Sequence, residues 1–329
     1  MIVLSNSQYY SDIANAIRAK NGENTQYKPS EMALAIKSLQ GGGINCTLTI
    51  STVPNATVTA TFENQTVTAV ADVNGTAILE LSKEGVWTVT ASLNGETVSK
   101  EIDTSLALET EIQFADPILE NNSWEDISKV AKSGKASQYW NVGDTKKFTF
   151  NNAVYEAQII GFDHDNVTDP TSYGRAKAGI TFQFKTICSA ANWFNQNPWH
   201  GSALRTTTMA DILTNMDDCK NYIVPVNKIS MTAYNHASET IVSDSLFLLS
   251  EGEIFGEIKY CGIPEGSQYA FYAAGNSTIK TKNDGSVIPW WTRSLVYNNT
   301  KRRVLVGRYE AVTYADWDFS NGIAPAFCI

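Results

Sequence analysis

The sequence predicts a multidomain chain: a short helical module, then an all-β sandwich, then a larger α+β domain. Three observations carry that expectation. The 329 residues exceed what one ordinary core encloses. Apolar spacing changes from a helical to a strand period across Gly41-Gly42-Gly43. Beyond about residue 117, short regular stretches alternate with long loops rich in Asn, Ser, Tyr and Trp.

The helical module is expected over residues 1–40. Tyr10, Ile13, Ala14 and Ile17 fall on one face of a first helix, and Asn21-Gly22 stops it. Pro29 suits a first helical turn, after which Met32, Ala35, Ile36 and Leu39 repeat the spacing. Two helices this short bury little alone, so they should dock on each other, on a sister chain or on the next protein of an assembly. The glycine run that follows reads as a flexible joint.

Residues 45–115 read as short strands. Val58, Ala60 and Phe62 alternate with Thr57, Thr59 and Thr61, and Trp87, Val89, Ala91 and Leu93 alternate likewise. Asn74-Gly75 and Asn94-Gly95 are hairpin signals. Such a module resembles immunoglobulin-like or carboxypeptidase-regulatory-like spacers, and no cluster of titratable residues marks it as a site.

The third segment, 117–329, should open with a helix entered through Ser123 and continue with a hairpin turning at Asn151-Asn152. A second helix is expected over 203–213, and apolar strands over 246–250, 302–307 and 323–329. Trp290 and Trp291 read as core.

Composition narrows the function classes. A hydrophobic share of 43% argues for real cores, and a net charge of −9 disfavours nucleic acid as a partner. One basic cluster (Arg293, Lys301, Arg302, Arg303, Arg308) reads as a solvated strand face. Five scattered Cys fit neither a disulfide framework nor a zinc site. No stretch approaches the roughly 18 apolar residues of a membrane span, and the N-terminus lacks a signal-peptide pattern, so membrane insertion and export are not expected.

Enzyme-like chemistry is thinly represented. Asp163-His164-Asp165, with Asn166 and Asp169, offers oxygen ligands for calcium but not the spacing of an EF-hand, and a hydrogen-bonded turn is the expected reading. Cys188 and His200 could form a nucleophile pair only if folded into contact, yet Cys188 follows an apparently buried strand. SEGEIFGE (250–257) is acidic, but Ile254 and Phe255 are expected to anchor it as a loop. No GxSxG, P-loop or GxGxxG stands at a strand-to-helix junction. No catalytic residue, metal site or cofactor is therefore assigned.

Two stretches carry a resemblance. YYSDIANAIRAKNG…YKPSEMALAIKSL (9–39) resembles a helical module of tail proteins from phages of Gram-positive bacteria. IIGFDHD (159–165), AGITFQFK (178–185), PVNK (225–228), LFLLSEGEIFG (246–256), EGSQYAFY (265–272), PWWTRS (289–294) and GIAPAFCI (322–329) together resemble an uncharacterised domain of phage minor structural and bacterial surface proteins. The closing pattern is similar to a C-type-lectin-like fold, as in the variable proteins of diversity-generating retroelements. That resemblance implies a ligand-binding face at Tyr297, Asn298, Asn299, Arg302, Tyr309, Tyr314, Asp316, Trp317, Phe319 and Asn321. Rigid aromatics among adaptable polar groups, as in YADWDFSN (314–321), also suit a paratope or a sugar site. Trp317 and Phe319 could equally pin a loop.

The implied function is a receptor-binding or adhesin subunit of a phage tail. It would be a virion protein, attached to other tail proteins through its N-terminal module and oligomeric, with a trimer favoured. It would hold a host-surface protein or glycan without catalysis. The alternatives are a purely architectural tail protein and a cell-wall or glycan hydrolase.

Overall fold

A computed structural model describes residues 7–21, 24, 26–32, 35, 46–93, 96–112, 115–193 and 197–329. The chain divides into two compact units, Met1–Phe114 and Ala115–Ile329. The architecture is mixed and mostly β, with several sheets and short helices.

The first unit opens with the helix Ser7–Asn21, and residues 29–32 and 35 are helical as well. Ala14 and Ile17 bury against Met32 and Ala35, with Tyr27 packed beside them. Tyr10 and Ile13, expected on the same buried stripe, are instead exposed. Gly22, Ile36, Leu39 and the glycine joint lie outside the described residues.

Seven strands follow: β1 (Cys46–Ser51), β2 (Thr57–Phe62), β3 (Gln65–Val70), β4 (Thr76–Leu81), β5 (Val86–Leu93), β6 (Glu96–Asp103) and β7 (Glu109–Glu111). They form one sheet in the order β4-β1-β7 and another in the order β3-β2-β5-β6. Val58, Ala60, Trp87, Val89 and Ala91 are buried, and threonines alternate with them. Asn74-Gly75 does not make a hairpin. Gly75 takes φ +81°, but the strands on either side, β3 and β4, lie in different sheets. A left-handed glycine fixes a local turn, not the partner of the strand that follows. Asn94-Gly95 is outside the described residues, although Leu93 pairs with Glu96 across it.

In the second unit, Ser123 caps the helix Trp124–Ser133 by accepting the Asp126 N–H at 3.1 Å, and Gly134 ends it at φ +74°. Strands β8 (Thr145–Phe150) and β9 (Ala153–Phe162) meet at Asn151-Asn152, both left-handed. With β10 (Ile180–Phe184), a two-residue β14 (Leu246–Phe247) and β19 (Ala326–Cys328) they form a five-stranded antiparallel sheet, β14-β19-β10-β9-β8. A second five-stranded sheet has the order β11-β18-β15-β16-β17, from β11 (Ser189–Ala191), β15 (Trp290–Leu295), β16 (Arg302–Val306), β17 (Val312–Asp316) and β18 (Asn321–Ile323). The remaining pair, β12 (Val226–Ala233) and β13 (His236–Asp244), is a hairpin.

Phe148, Phe182, Phe184, Phe327 and Trp124 interlock at the centre of the core, edge to face except for the stacked pair Phe182–Phe327. The expected strand over 323–329 is split, because Pro325 separates β18 in one sheet from β19 in the other. The helical stretch at 203–213 runs as a π-helical turn, Leu204–Thr208, continued by Met209–Thr214.

Candidate functional site

Beneath one end of the second sheet lies a group of charged side chains with almost no solvent contact. Lys228 on β12 bridges Asp165 and Glu253, each at 2.6 Å. Arg293 on β15 grips both oxygens of Glu253, donates to the Leu248 carbonyl at 3.0 Å and bonds the Glu265 carbonyl. Tyr269 and Thr181 donate to Asp165 at 2.8 and 2.7 Å. Ser294 donates to Glu265 at 2.5 Å and also accepts the Glu251 N–H at 2.9 Å.

Burial alone would raise the Asp165 and Glu253 carboxyls. Lys228 outweighs it for Asp165, and Arg293 with Lys228 for Glu253, so both stay below the usual range. For Lys228, burial works downward, but Asp165 and Glu253 hold it above its ordinary value. Burial pushes Glu265 up.

The basic cluster therefore is not one solvated face. Arg293 and Arg303 are 0% and 1% exposed. Every residue of β15 is buried, so no alternation separates its polar positions from its apolar ones. Arg303 lies 5.5 Å from the Trp193 ring, and burial lowers its pKa to about 10.

This buried layer is bonded to a surface loop. Ser250 and Glu253 form a capping box on the helical turn Glu251–Phe255. That turn aims the fully buried Glu251 carboxylate at the next loop, where it accepts the N–H groups of Lys259 (2.8 Å), Tyr260 (3.0 Å) and Cys261 (2.7 Å). The Tyr260 carbonyl in turn accepts the Tyr297 N–H at 2.9 Å, and the Tyr234 carbonyl accepts that of Asn298 at 2.6 Å. Three separate loops are thus stitched together by backbone bonds.

Beside these loops, the side chains of Lys259, Tyr260, Arg302 and Tyr314 form an aromatic and cationic cluster at the surface. The Tyr260 and Tyr314 rings meet edge to face, 5.1 Å apart. The Arg302 guanidinium lies 4.3 Å over Tyr314, and the Lys259 ammonium 5.3 Å over Tyr260. Asp316, opposite Arg302 across β16 and β17, is 3.8 Å from it. Tyr297 is exposed and its ring lies over Gly262, where a β-carbon would come within 2.7 Å of that ring. Asn298 takes a left-handed φ of 57°, and the Asn299 side chain accepts the N–H groups of Lys301 and Arg302 at 3.0 and 2.9 Å.

The ten residues singled out from sequence divide accordingly. Tyr297, Asn298, Asn299, Arg302, Tyr314 and Asp316 come together. Tyr309 is 91% exposed in the β16–β17 turn, at the other end of the strands and roughly 13 Å away at the strand rise. Trp317 is partly buried against the main core and bonded through its backbone to Lys301 and Trp193, so it pins the crossing chain. Phe319 is 61% exposed in that crossing, and Asn321 opens β18 opposite Ala191. Tyr234, Lys259, Tyr260 and Gly262 were missed, because they enter from loops remote in sequence. The S-x-x-E capping box at Ser250 was the legible signal nearby.

The other candidates are engaged elsewhere. Asp163 pairs with Arg175 at 2.8 Å, and Asp165 belongs to the buried layer. His164 stacks on Tyr269 with centroids 4.0 Å apart, and burial lowers its pKa. The Cys188 thiol donates to the Ile323 carbonyl at 3.4 Å, and burial raises its pKa far above the usual range, which disfavours a thiolate. Among the described residues, no group of three or more His, Cys, Asp or Glu is placed to hold a metal, and no helix is long and apolar enough to cross a membrane.

Residues 180–329 match a family described as a domain of unknown function (DUF6273). No curated protein and no solved structure matches the chain. The matched region contains the tyrosine cluster and most of the buried charged layer beneath it.

Proposed function

We propose that this protein is a receptor-binding or adhesin subunit of a phage tail, holding a host-surface ligand without catalysis. The observation that carries the reading is the cluster of Tyr260, Tyr297, Tyr314 and Arg302, on loops and strand ends tied to a buried charged layer. Tyrosine offers wide amphipathic contact for little lost entropy, and Arg adds a planar donor fork, so such clusters suit recognition. A rigid underside lowers the ordering cost of binding.

Finer structural readings belong to the same proposal. Seven strands in sheets of three and four, with chain crossings between them, support an immunoglobulin-like spacer. Loops gathered beside the β15–β16 strands support a C-type-lectin-like second unit. Tyr10 and Ile13, exposed on the first helix, support an N-terminal module that joins copies of the chain, as a trimer, and other tail proteins. Light scattering should show a trimer that Ile13→Asp dissociates; a monomer at all concentrations would remove that part.

The functional test is adsorption of labelled full-length protein to a panel of Gram-positive bacteria. Arg302→Ala and Tyr314→Ala should each reduce binding about tenfold or more, as central contacts do. Equal adsorption by both variants would overturn the reading.

A further inference from the structure

At the base of the β12–β13 hairpin, a cleft of about 310 Å³ opens between the helix Trp124–Ser133, the turn Pro170–Tyr173 and residues 221–225. That volume falls at the lower end of small-molecule sites. Its walls are held by their own bonds. The Thr168 N–H donates to the Pro225 carbonyl at 2.9 Å, and one Asp169 oxygen caps the turn by accepting the Ser172 N–H at 3.1 Å. Tyr173, whose hydroxyl accepts the Gly179 N–H at 3.0 Å, forms part of the floor.

Four side-chain groups on this lining remain unspent: the Lys132 ammonium, the second Asp169 oxygen, the Asn221 amide and the Tyr222 hydroxyl. Among the described residues, none of the four has a hydrogen-bond or ion-pair partner. Lys132 only overhangs the Tyr173 ring, at 5.9 Å.

We propose that this cleft binds a small neutral saccharide. A sugar ring carries a rim of hydroxyls, each both donor and acceptor, around patches of C–H. The cleft carries the matching mixture. Lys132, Asn221 and Tyr222 donate, Asp169 and Asn221 accept, and Ile223 and Pro225 supply apolar contact. One cation and one carboxylate balance, so a neutral ligand is favoured over phosphate or a polyanion. Tyr234 lies beyond the other end of the same hairpin, whose strand from Val226 to Ala233 spans roughly 24 Å. The saccharide site is therefore separate from the tyrosine cluster and does not rest on its role.

The test is calorimetric titration of the full chain with the methyl glycosides of glucose, galactose and N-acetylglucosamine. At least one should bind with a Kd no weaker than about 10 mM. Asn221→Ala and Tyr222→Phe, the second keeping the packed ring, should each weaken it about tenfold, the cost of one lost hydrogen bond. Arg302→Ala should leave it unchanged, so failure here is distinguishable from failure at the tyrosine cluster. No binding by any glycoside at that concentration, or binding that survives both cleft variants, overturns the proposal. Uptake of glycine or inorganic phosphate in place of the glycosides overturns the ligand class.

Discussion

Arg293 and Arg302 stand nine positions apart on neighbouring strands of one sheet, yet they work in opposite ways. Arg293 is fully buried, and the Glu253 carboxylate and the Ile229, Leu248 and Glu265 carbonyls occupy its guanidinium. Arg302 is half-exposed, loosely facing Asp316 and lying over a tyrosine ring. Tyr269 and Tyr314 divide the same way, one donating into the buried layer and the other open at the surface. Residue type alone does not decide whether a side chain builds the scaffold or the proposed recognition surface. What decides it is whether its polar groups are spent inside the fold.

The sharpest way to break this contrast is to remove a buried partner. Arg293→Met leaves Glu253 with Lys228 as its remaining cation and strips a donor from the Glu265 carbonyl, and breaking a buried ion pair by removing one partner costs about 3–5 kcal/mol. Urea titration should show a loss of that size; a change below about 1 kcal/mol would mean the layer is not load-sharing. Glu251→Ala should cost less, about 1–3 kcal/mol, because it strands backbone N–H groups rather than a charge. Its informative effect is at the surface, where the freed Tyr260 loop should weaken ligand binding although Glu251 touches no ligand.

Lys280 sharpens the comparison from another side. It is buried like Arg293, but its ammonium meets the Phe184 and Lys185 carbonyls, at 2.8 and 3.5 Å, and the Trp290 ring at 5.7 Å, with no carboxylate bonded to it among the described residues. Burial, then repulsion from Lys185, lowers its pKa to about 7. The folded state therefore releases a proton that the unfolded chain keeps up to its ordinary value near 10.5. This group's contribution to stability rises from about pH 7 to about pH 10.5, by at most about 1.4 kcal/mol per pH unit. Lys280→Met should flatten that slope in thermal melts across the range.

How much of this could be read in the sequence follows the same division. Ser123, Asn151-Asn152 and the alternation around Trp87 were legible because each rests on local backbone chemistry. Trp290 and Trp291 were legible as core because large apolar rings have few alternatives. Arg293 and Arg303 were not, since a strand buried on both faces has no period to mark which residues lie inside. Asn74-Gly75 announced a turn but could not announce that the chain changes sheets there. The tyrosine cluster was half legible: Tyr297, Arg302, Tyr314 and Asp316 lie close together in sequence, whereas Tyr260 and the Tyr234 carbonyl that bonds Asn298 arrive only through tertiary folding.

The smallest expected effect on stability is at that surface. Arg302→Ala and Tyr314→Ala should stay within about 0.5 kcal/mol of the parent, as exposed positions with weak pairings do. The most direct test of the account is to measure both quantities on one preparation of Tyr314→Ala: the urea midpoint of the full chain and its adsorption to bacterial cells. The account predicts an unchanged midpoint with adsorption reduced about tenfold or more. An unchanged midpoint with undiminished adsorption would contradict it.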